Sequence, residues 1–168
     1  METYLRKLIS IAFTDKKEIF SGFLIDFNED WILLRSNPVD FILDGFIVLR
    51  NKNVASVFRE ADEEFTEKVI KLKGLKTNSD DIIPIQNLAS ILNYVSSKFD
   101  IFQIAKKSDK AAYLGKLIEL NGEELVINFL ETKGKFGGEM SFNPNKIRVI
   151  EFDTDYINSL KLVNQKEI

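Results

Sequence analysis

An internal repeat constrains the fold more than any other feature of the sequence. Laid on itself at an offset of 93 residues, the segment FSGFLIDFNEDWILL at 20–34 aligns with YLGKLIELNGEELVI at 113–127 without a gap. The same offset aligns further positions of like character: Gly22 with Gly115, Leu24 with Leu117, Asn28 with Asn121, Val54 with Ile147, Val57 with Ile150, and Asp62 with Asp155. Two separate segments that share one offset indicate a duplication, the alternative being two generic meanders of similar spacing.

Each copy predicts five short strands separated by polar turns such as NED, SNP and NPN. The predicted strands are 7–14, 18–27, 31–36, 40–50 and 53–58 in the first copy, and 100–107, 111–120, 124–131, 138–143 and 146–152 in the second. Connections of hairpin length throughout are typical of a meander closed into a small barrel. Gly22, Gly45 and Gly115 lie inside strand patterns, where glycine marks the tight bends that such a barrel needs.

Amphipathic helices are predicted after each fifth strand and before the second copy. The first, DEEFTEKVIKLKG, places Phe65, Val69 and Leu72 on one face and ends at Gly74. The other two are QNLASILNYVSSK and DYINSLKLVN. The predicted domains are a first barrel with a C-terminal helix at 1–74, a linker at 75–85, and a second barrel with N-terminal and C-terminal helices at 86–168.

Composition excludes several classes of function. The chain has 168 residues, 45% of them apolar, which predicts a folded protein. It has no cysteine and no histidine, so thiolate metal sites, disulfides and imidazole-based catalysis are excluded. The net charge of −3 gives no global attraction to nucleic acid or anionic lipid. Neither a signal peptide nor a membrane helix is expected, and we predict a cytoplasmic protein without catalytic activity, cofactor, metal or membrane partner.

Two motifs resemble those of Sm-like (LSm, Hfq-type) small β-barrel domains of bacterial type. The first motif, Gly-x-apolar-x-x-aromatic-Asp in the family, is present as Gly22, Leu24, Phe27 and Asn28. The second, VLRNKNVASV at 48–57, has Arg50 in the arginine position and Asn51 where the family has glycine. The second copy keeps the first motif as Gly115, Leu117, Leu120 and Asn121, but its second motif, FNPNKIRVI, has no arginine at that position.

The resemblance implies a mainly β protein with accessory helices, built from two tandem five-stranded Sm-like small barrels. In the family, the turns formed by these motifs hold single-stranded RNA, and barrels join edge to edge through their fourth and fifth strands into rings. The corresponding candidate RNA- or ligand-binding residues here are Asn28, Trp31, Arg50, Asn51, Lys52 and Asn53. Two cations and two amides on one tight turn suit phosphate groups or base edges, but the same turn is also explained as a solvated hairpin.

The second strand, IFSGFLIDF, is apolar on both faces, so something must cover its outer side. The amphipathic helices, the sister barrel and another chain are the alternatives. We therefore expect a binding or assembly module that acts through a protein partner or through self-association at the barrel edges. Single-stranded RNA binding by the first-copy loops is the alternative.

Overall fold

The computed structural model describes residues 1–108 and 110–166, which form a mainly β structure with three α-helices. The ten strands are β1 (Leu8–Phe13), β2 (Phe20–Phe27), β3 (Trp31–Ser36), β4 (Phe46–Arg50), β5 (Val54–Phe58), β6 (Ile101–Ala105), β7 (Ala112–Leu120), β8 (Leu125–Leu130), β9 (Phe136–Phe142) and β10 (Val149–Phe152). The helices are α1 (Ala61–Leu72), α2 (Leu88–Phe99) and α3 (Asp155–Lys166), at the three places where amphipathic periodicity predicts them.

All ten strands belong to one antiparallel sheet with the order β5-β1-β2-β3-β4-β10-β6-β7-β8-β9. The sheet is open, because its terminal strands, β5 and β9, are each paired on one side only within the described chain. The mainly β class is confirmed, whereas the two closed barrels that the strand spacing predicts are not shown. Strand β4 of the first copy pairs with β10 of the second, which joins the two halves into one sheet.

The strand pairing repeats at the offset found in the sequence. Ile9 lies opposite Gly22 in the first half, and Phe102 lies opposite Gly115, each 93 positions further along, in the second. The bulge in β2 falls between Leu24 and Asp26 and that in β7 between Leu117 and Glu119, which are again equivalent positions. The two halves therefore share one register in addition to one hydrophobic pattern.

The predicted strand at 40–50 is wrong in its first part, because β4 begins only at Phe46. Asp40 and Gly45 have φ angles of 44° and 59°, which interrupt an extended backbone. The Asn37 side chain holds the intervening loop by donating to the carbonyl oxygens of Asp40 and Ile42, at 2.9 and 2.7 Å. A local side-chain network thus replaces strand pairing despite apolar alternation.

Gly22 and Gly115 allow neighbouring strands to approach closely. A Cβ on Gly22 would lie 2.4 Å from the Arg35 carbonyl oxygen, and one on Gly115 would lie 2.4 Å from that of Asn128. Neither contact is possible for a real side chain, so both positions of the repeat require glycine.

Helix α1 covers the outer side of the first half, but with a different face from the predicted one. Its buried residues are Glu67 and Ile70, and Ile70 packs with Leu8 and Phe23 in a small apolar cluster. Phe65 and Leu72, predicted to face inward, are 60% and 78% exposed. The prediction is wrong because Glu67 is drawn into the protein by specific hydrogen bonds that hydrophobic periodicity does not register.

The largest core cluster contains residues of both halves. Trp31 and Val48 from the first half pack with Phe102, Ile127 and Ile150 from the second, and helix α2 closes the cluster. Residues 75–85, the predicted linker, contain no helix or strand, yet Ile83 and Ile85 are buried in the same cluster. None of the described helices combines the length and apolar character needed to span a membrane.

Candidate functional site

Asn28 organises the turn between β2 and β3. Its Oδ1 accepts hydrogen bonds from the backbone N–H groups of Asp30 and Trp31, both at 2.8 Å. Its Nδ2 donates to the Ile85 carbonyl oxygen at 2.7 Å. The amide therefore shapes the turn and attaches residues 75–85 to it, which leaves little hydrogen-bonding capacity for a ligand.

Arg50 links the two halves across the β4–β10 junction. Its Nε donates to the Ile147 carbonyl oxygen at 2.7 Å, and Nη2 donates to that of Pro144 at 3.2 Å. The guanidinium lies over the Trp31 ring, 4.3 Å from the ring centroid, while Trp31 itself is only 1% exposed. Burial lowers the pKa of Arg50, but an arginine keeps its charge in proteins. In this structure Arg50 and Trp31 thus contribute to the junction.

The other three candidate residues complete the turn between β4 and β5. Asn51 Nδ2 donates to the Asn28 carbonyl oxygen at 2.9 Å, which joins this turn to the preceding one. Asn53 has a φ of 59° and donates to Asp15 Oδ2 at 2.9 Å. Lys52 is exposed, and its carbonyl oxygen accepts from Arg148. The structure therefore brings the six predicted residues together at two adjoining turns and the strand ends that border them, Trp31 of β3 and Arg50 of β4.

An ion pair supports these turns from the second half. Arg148 Nη1 donates to Asp15 Oδ2 at 2.7 Å, and Nη2 donates to Oδ1 at 3.2 Å. Hydrogen bonds from Arg148 and Asn53 hold the pKa of Asp15 well below its usual range despite partial burial. Because Arg148 has only 7% of its side chain exposed, this bidentate pair fixes the β1–β2 turn against the junction.

A cavity of about 530 Å³ opens between the two halves beside Arg50. Trp31 and Arg50 line it from the first half, Asn121 and Asn145 line it from the second, and the first residues of α2 close one side. These positions come from corresponding turns of the two copies. The cavity offers amide groups, the guanidinium of Arg50 and the carboxylate of Asp30.

The junction itself is a continuous strand pair. Leu49, Val48, Ile47 and Phe46 of β4 lie opposite Val149, Ile150, Glu151 and Phe152 of β10. The rings of Phe46 and Phe152 are stacked with their centroids 5.4 Å apart. Fourth and fifth strands of the repeat therefore already form a stable contact inside this chain.

The repeat places one further fourth strand and one further fifth strand at the two ends of the sheet. These are β9 and β5, and Glu139, Ser141, Ala55 and Ser56 on them are exposed. Each end presents unpaired backbone N–H and C=O groups, which are templates for pairing with another strand.

Two glycines at equivalent positions of the repeat have different surroundings at the β4–β10 junction and at the free edge of β9. Gly45 has a φ of 59°, and a Cβ there would lie 2.5 Å from the Phe152 carbonyl oxygen across the junction. Its equivalent at the free edge, Gly138, has a φ of 108°, and a Cβ there would meet no described atom within 4 Å. The glycine that allows β10 to approach β4 closely thus has an equivalent on β9, whose outer side pairs with no strand of the described residues.

No family model, no curated protein and no solved structure matches this chain. Among the described residues, no group of three or more acidic side chains is arranged to hold a metal ion. The sequence predicts self-association at barrel edges, and the shared offset of the two copies identifies the free edges here as β5 and β9.

Proposed function

We propose that this chain is a non-enzymatic assembly module whose two free sheet edges, β5 and β9, bind one another in successive copies of the same chain. The observation that carries the proposal is the β4–β10 junction, in which a fourth strand already pairs with a fifth strand. Edges β9 and β5 are the remaining fourth and fifth strands of the repeat. A head-to-tail contact of this kind produces closed rings or helical filaments.

The register of the proposed contact follows from the internal junction. Moving the β4–β10 pairs by the repeat offset places Phe142 opposite Ser56, Ser141 opposite Val57, Met140 opposite Phe58 and Glu139 opposite Arg59. The last pair brings opposite charges together, although the Arg59 side chain also donates within its own chain, to the Leu8 carbonyl oxygen at 2.8 Å and to Glu67 Oε2 at 2.6 Å. Opposite charges on facing strand positions favour the pairing.

The contact between copies is expected to be weaker than the internal junction. Phe46 and Phe152 stack at the junction, whereas a charged pair takes their place at the edges. Arg50, which binds two carbonyl oxygens across the junction, is replaced by Asn143 at the equivalent position. We therefore expect assembly that depends on protein concentration.

The Sm-like resemblance supports this proposal and gives it a finer form. In each half the strands follow the order fifth, first, second, third and fourth, and the two halves join through a fourth and a fifth strand, as barrels of that family do. Under this proposal the halves are two tandem Sm-like barrel domains fused into a permanent pair, and self-association through their outer edges builds a larger assembly.

Single-stranded RNA binding is the second candidate function. Its support is that Trp31 and Arg50 line one cavity with amides of the equivalent second-copy turns. Most donors of these turns are, however, engaged inside the chain, with Arg50 on backbone carbonyls and Asn51 on Asn28. Assembly is therefore the better supported function.

The test removes a backbone N–H group of β9 that would donate only in the contact between copies. At the junction, the Arg50 N–H donates to the Arg148 carbonyl oxygen. Because the N–H groups of alternate residues in an antiparallel strand point to the same side, every second N–H of β4 points towards β10. The repeat therefore places the Ser141 N–H on the outer side of β9. Ser141→Pro removes that outward N–H, which an edge strand tolerates. Ser141→Ala removes the same hydroxyl but keeps the N–H, and it is the matched control.

Light scattering coupled to size-exclusion chromatography measures the outcome. The parent and Ser141→Ala chains are expected to form larger species as concentration rises towards about 0.1 mM, whereas Ser141→Pro stays monomeric. Circular dichroism checks that both variants are folded. A parent chain that is monomeric at every concentration, or a folded Ser141→Pro variant that assembles as well as Ser141→Ala, would refute the proposal.

A further inference from the structure

Helix α1 and the loop between β3 and β4 form an apolar face that is exposed to solvent. The rings of Phe41 on the loop and Phe65 on the helix meet edge to face, with their centroids 5.9 Å apart. Lys73 Nζ donates to the Phe41 carbonyl oxygen at 2.9 Å, so the loop is also attached to the C-terminal end of the helix. We use the name α1 face for the surface of Phe41, Phe65, Val69 and Leu72, of which Phe65 and Leu72 are the most exposed.

The repeat does not need these apolar side chains. At the positions 93 residues further along, Phe65 is replaced by Asn158 and Leu72 by Gln165. Asn158 donates to Asp153 Oδ1 at 3.0 Å inside the second half. The second half thus forms its helix with polar side chains at these positions. An exposed apolar surface that folding does not require is typical of an interaction site.

Charged side chains beside the α1 face are divided by sign between the two ends of the helix. Asp62 and Glu64 lie in its first turn, whereas Lys71 lies in its last turn and Lys73 directly follows it. Within the described residues Asp62 forms no ion pair. The Glu64 side chain is 64% exposed, although its Oε1 lies 3.8 Å from Arg59 Nε. The face is therefore acidic at one end and basic at the other.

The two lysines keep donors for a partner. Lys71 pairs with Glu67 on its own helix, and its side chain is 53% exposed. Lys73 is exposed and uses one N–H on the Phe41 carbonyl oxygen. Because an ammonium group has three N–H donors, each lysine can bind a further carboxylate.

We infer that the α1 face binds the α1 face of a second copy of this chain, with the two helices antiparallel. Because the two ends of α1 carry opposite charges, an antiparallel helix of the same sequence brings unlike charges together. A two-fold axis between positions 67 and 68 places Asp62 level with Lys73 of the other copy. The same axis places Glu64 level with Lys71 of the other copy. Each contact occurs twice, because a two-fold interface uses the same surface of both copies.

The apolar side chains meet in the same arrangement. Phe65 of one copy lies within about one helical turn of Val69 and Leu72 of the other. Lys68, which is exposed near the axis, covers this contact with its methylene stem while its ammonium group stays in water.

The contact is small, and we expect it to be weak. It buries on the order of 400 Å² per copy, about half of what a standard interface buries per partner. A dissociation constant of about 1 mM is therefore expected, so the dimer is scarce at the concentrations that test the sheet edges. Where copies are joined through those edges, many such contacts act together. The dimer itself does not need the edges, so the inference stands apart from the proposed function.

Sedimentation equilibrium of the Ser141→Pro chain tests the inference, because that substitution removes the edge contact. A monomer–dimer equilibrium is expected between about 0.1 and 1 mM protein at about 50 mM salt. Adding Phe65→Ser should raise the dissociation constant at least about tenfold, because each copy loses its largest apolar contact. Tyr156→Ser on α3, where the aromatic side chain is 49% exposed, is the matched control and should leave the dimer unchanged.

Charge reversal tests the antiparallel arrangement. Asp62→Lys and Lys73→Glu, each added separately to the Ser141→Pro chain, place like charges together twice and should abolish the dimer. A mixture of these two chains makes both pairs opposite again, so it should associate as the Ser141→Pro chain does. Circular dichroism checks that every variant is folded.

Several results would overturn the inference. A Ser141→Pro chain that is monomeric at about 1 mM does so, as does equal dimerisation of the Phe65→Ser and Tyr156→Ser variants, or a charge-reversed mixture that stays monomeric. Binding to phosphatidylserine vesicles without self-association would assign the face to a lipid surface and also overturn it. A dimer of the Ser141→Pro chain, combined with a parent chain that forms nothing larger, would support this inference while refuting assembly through the edges.

Discussion

Glu67, which is buried, and Glu151, which is partly buried, have opposite effects on stability. Burial raises the pKa of Glu67, but hydrogen bonds from Lys71 and from the Leu8 N–H, together with the Arg59 charge, outweigh burial and leave the pKa below its usual value. For Glu151 burial dominates and raises the pKa, and Glu18 and Asp44 raise it further, although a hydrogen bond from Gln103 opposes them. One carboxylate is thus stabilised in its ionised form and the other in its neutral form.

These directions predict opposite pH dependences. The contribution of Glu67 is present above its unfolded-state pKa of about 4.5 and is lost as pH falls through the lower folded-state value. The contribution of Glu151 is full below its unfolded-state pKa and is lost as pH rises through the higher folded-state value. Glu67→Gln is therefore expected to lower the free energy of unfolding at pH 7 by about 2 kcal/mol, while Glu151→Gln raises it.

Urea unfolding of both variants at pH 4 and pH 7 measures the effect. At pH 4 the advantage of Glu151→Gln over the parent should shrink, because the parent carboxyl group is then largely protonated in both states. The control is Glu123→Gln, on an exposed turn, which should follow the parent at both values of pH. A Glu151→Gln variant that is less stable than the parent at pH 7 contradicts the assigned direction.

At the scale of the strands, the glycines of the repeat determine how closely neighbours approach. Gly115→Ala would place a Cβ 2.4 Å from the Asn128 carbonyl oxygen, so β7 and β8 must separate. We expect a loss of about 3 kcal/mol in the free energy of unfolding, at the upper end of the range for overpacking. Gly122→Ala in the next turn is the control, because a Cβ there meets no described atom within 4 Å. Equal midpoints of thermal unfolding for the two variants would show that the strands adjust freely.

Most strands and all three helices follow from the sequence, because alternation and helical periodicity are local signals. The early part of the strand at 40–50 does not, since the Asn37 bonds and the positive φ of Gly45 depend on a fold already formed. The buried face of α1 was also missed, because Glu67 is placed by Arg59 and by the Leu8 N–H rather than by hydrophobicity. Hydrophobic pattern thus locates an element, while polar contacts set its end or its rotation.

For the whole molecule, the sequence predicts the repeat but not how its copies meet. The six candidate residues lie close together at one end of the first copy, but nothing local in the sequence indicates that Arg50 reaches the Ile147 and Pro144 carbonyl oxygens. The β4–β10 pairing joins residues about 100 positions apart, and such contacts lie beyond any periodicity argument. The free edges are likewise a property of the complete sheet.

The shared core predicts that the two halves unfold together. Trp31 of the first half packs in one cluster with Phe102, Ile127 and helix α2 of the second, so opening either half exposes the apolar surface of the other. Urea unfolding followed by Trp31 fluorescence and by far-ultraviolet circular dichroism should therefore give coincident single transitions. Trp31, the chain's one tryptophan, reports on the shared core, whereas circular dichroism reports on the helices and strands of both halves.

The Arg50→Ala variant gives a second test of whether the two halves unfold together. The substitution removes the Arg50 donor from the Ile147 carbonyl oxygen and one of two donors from that of Pro144, and it removes the cation above Trp31, so we expect the free energy of unfolding to fall by about 3 kcal/mol. The transition should remain single, because the apolar cluster is intact. Lys52→Ala, on the same turn and exposed, should be within about 0.5 kcal/mol of the parent. If fluorescence and circular dichroism separate into two transitions already in the parent, the halves are independent domains joined at 75–85, and the junction is too weak to be the template for assembly.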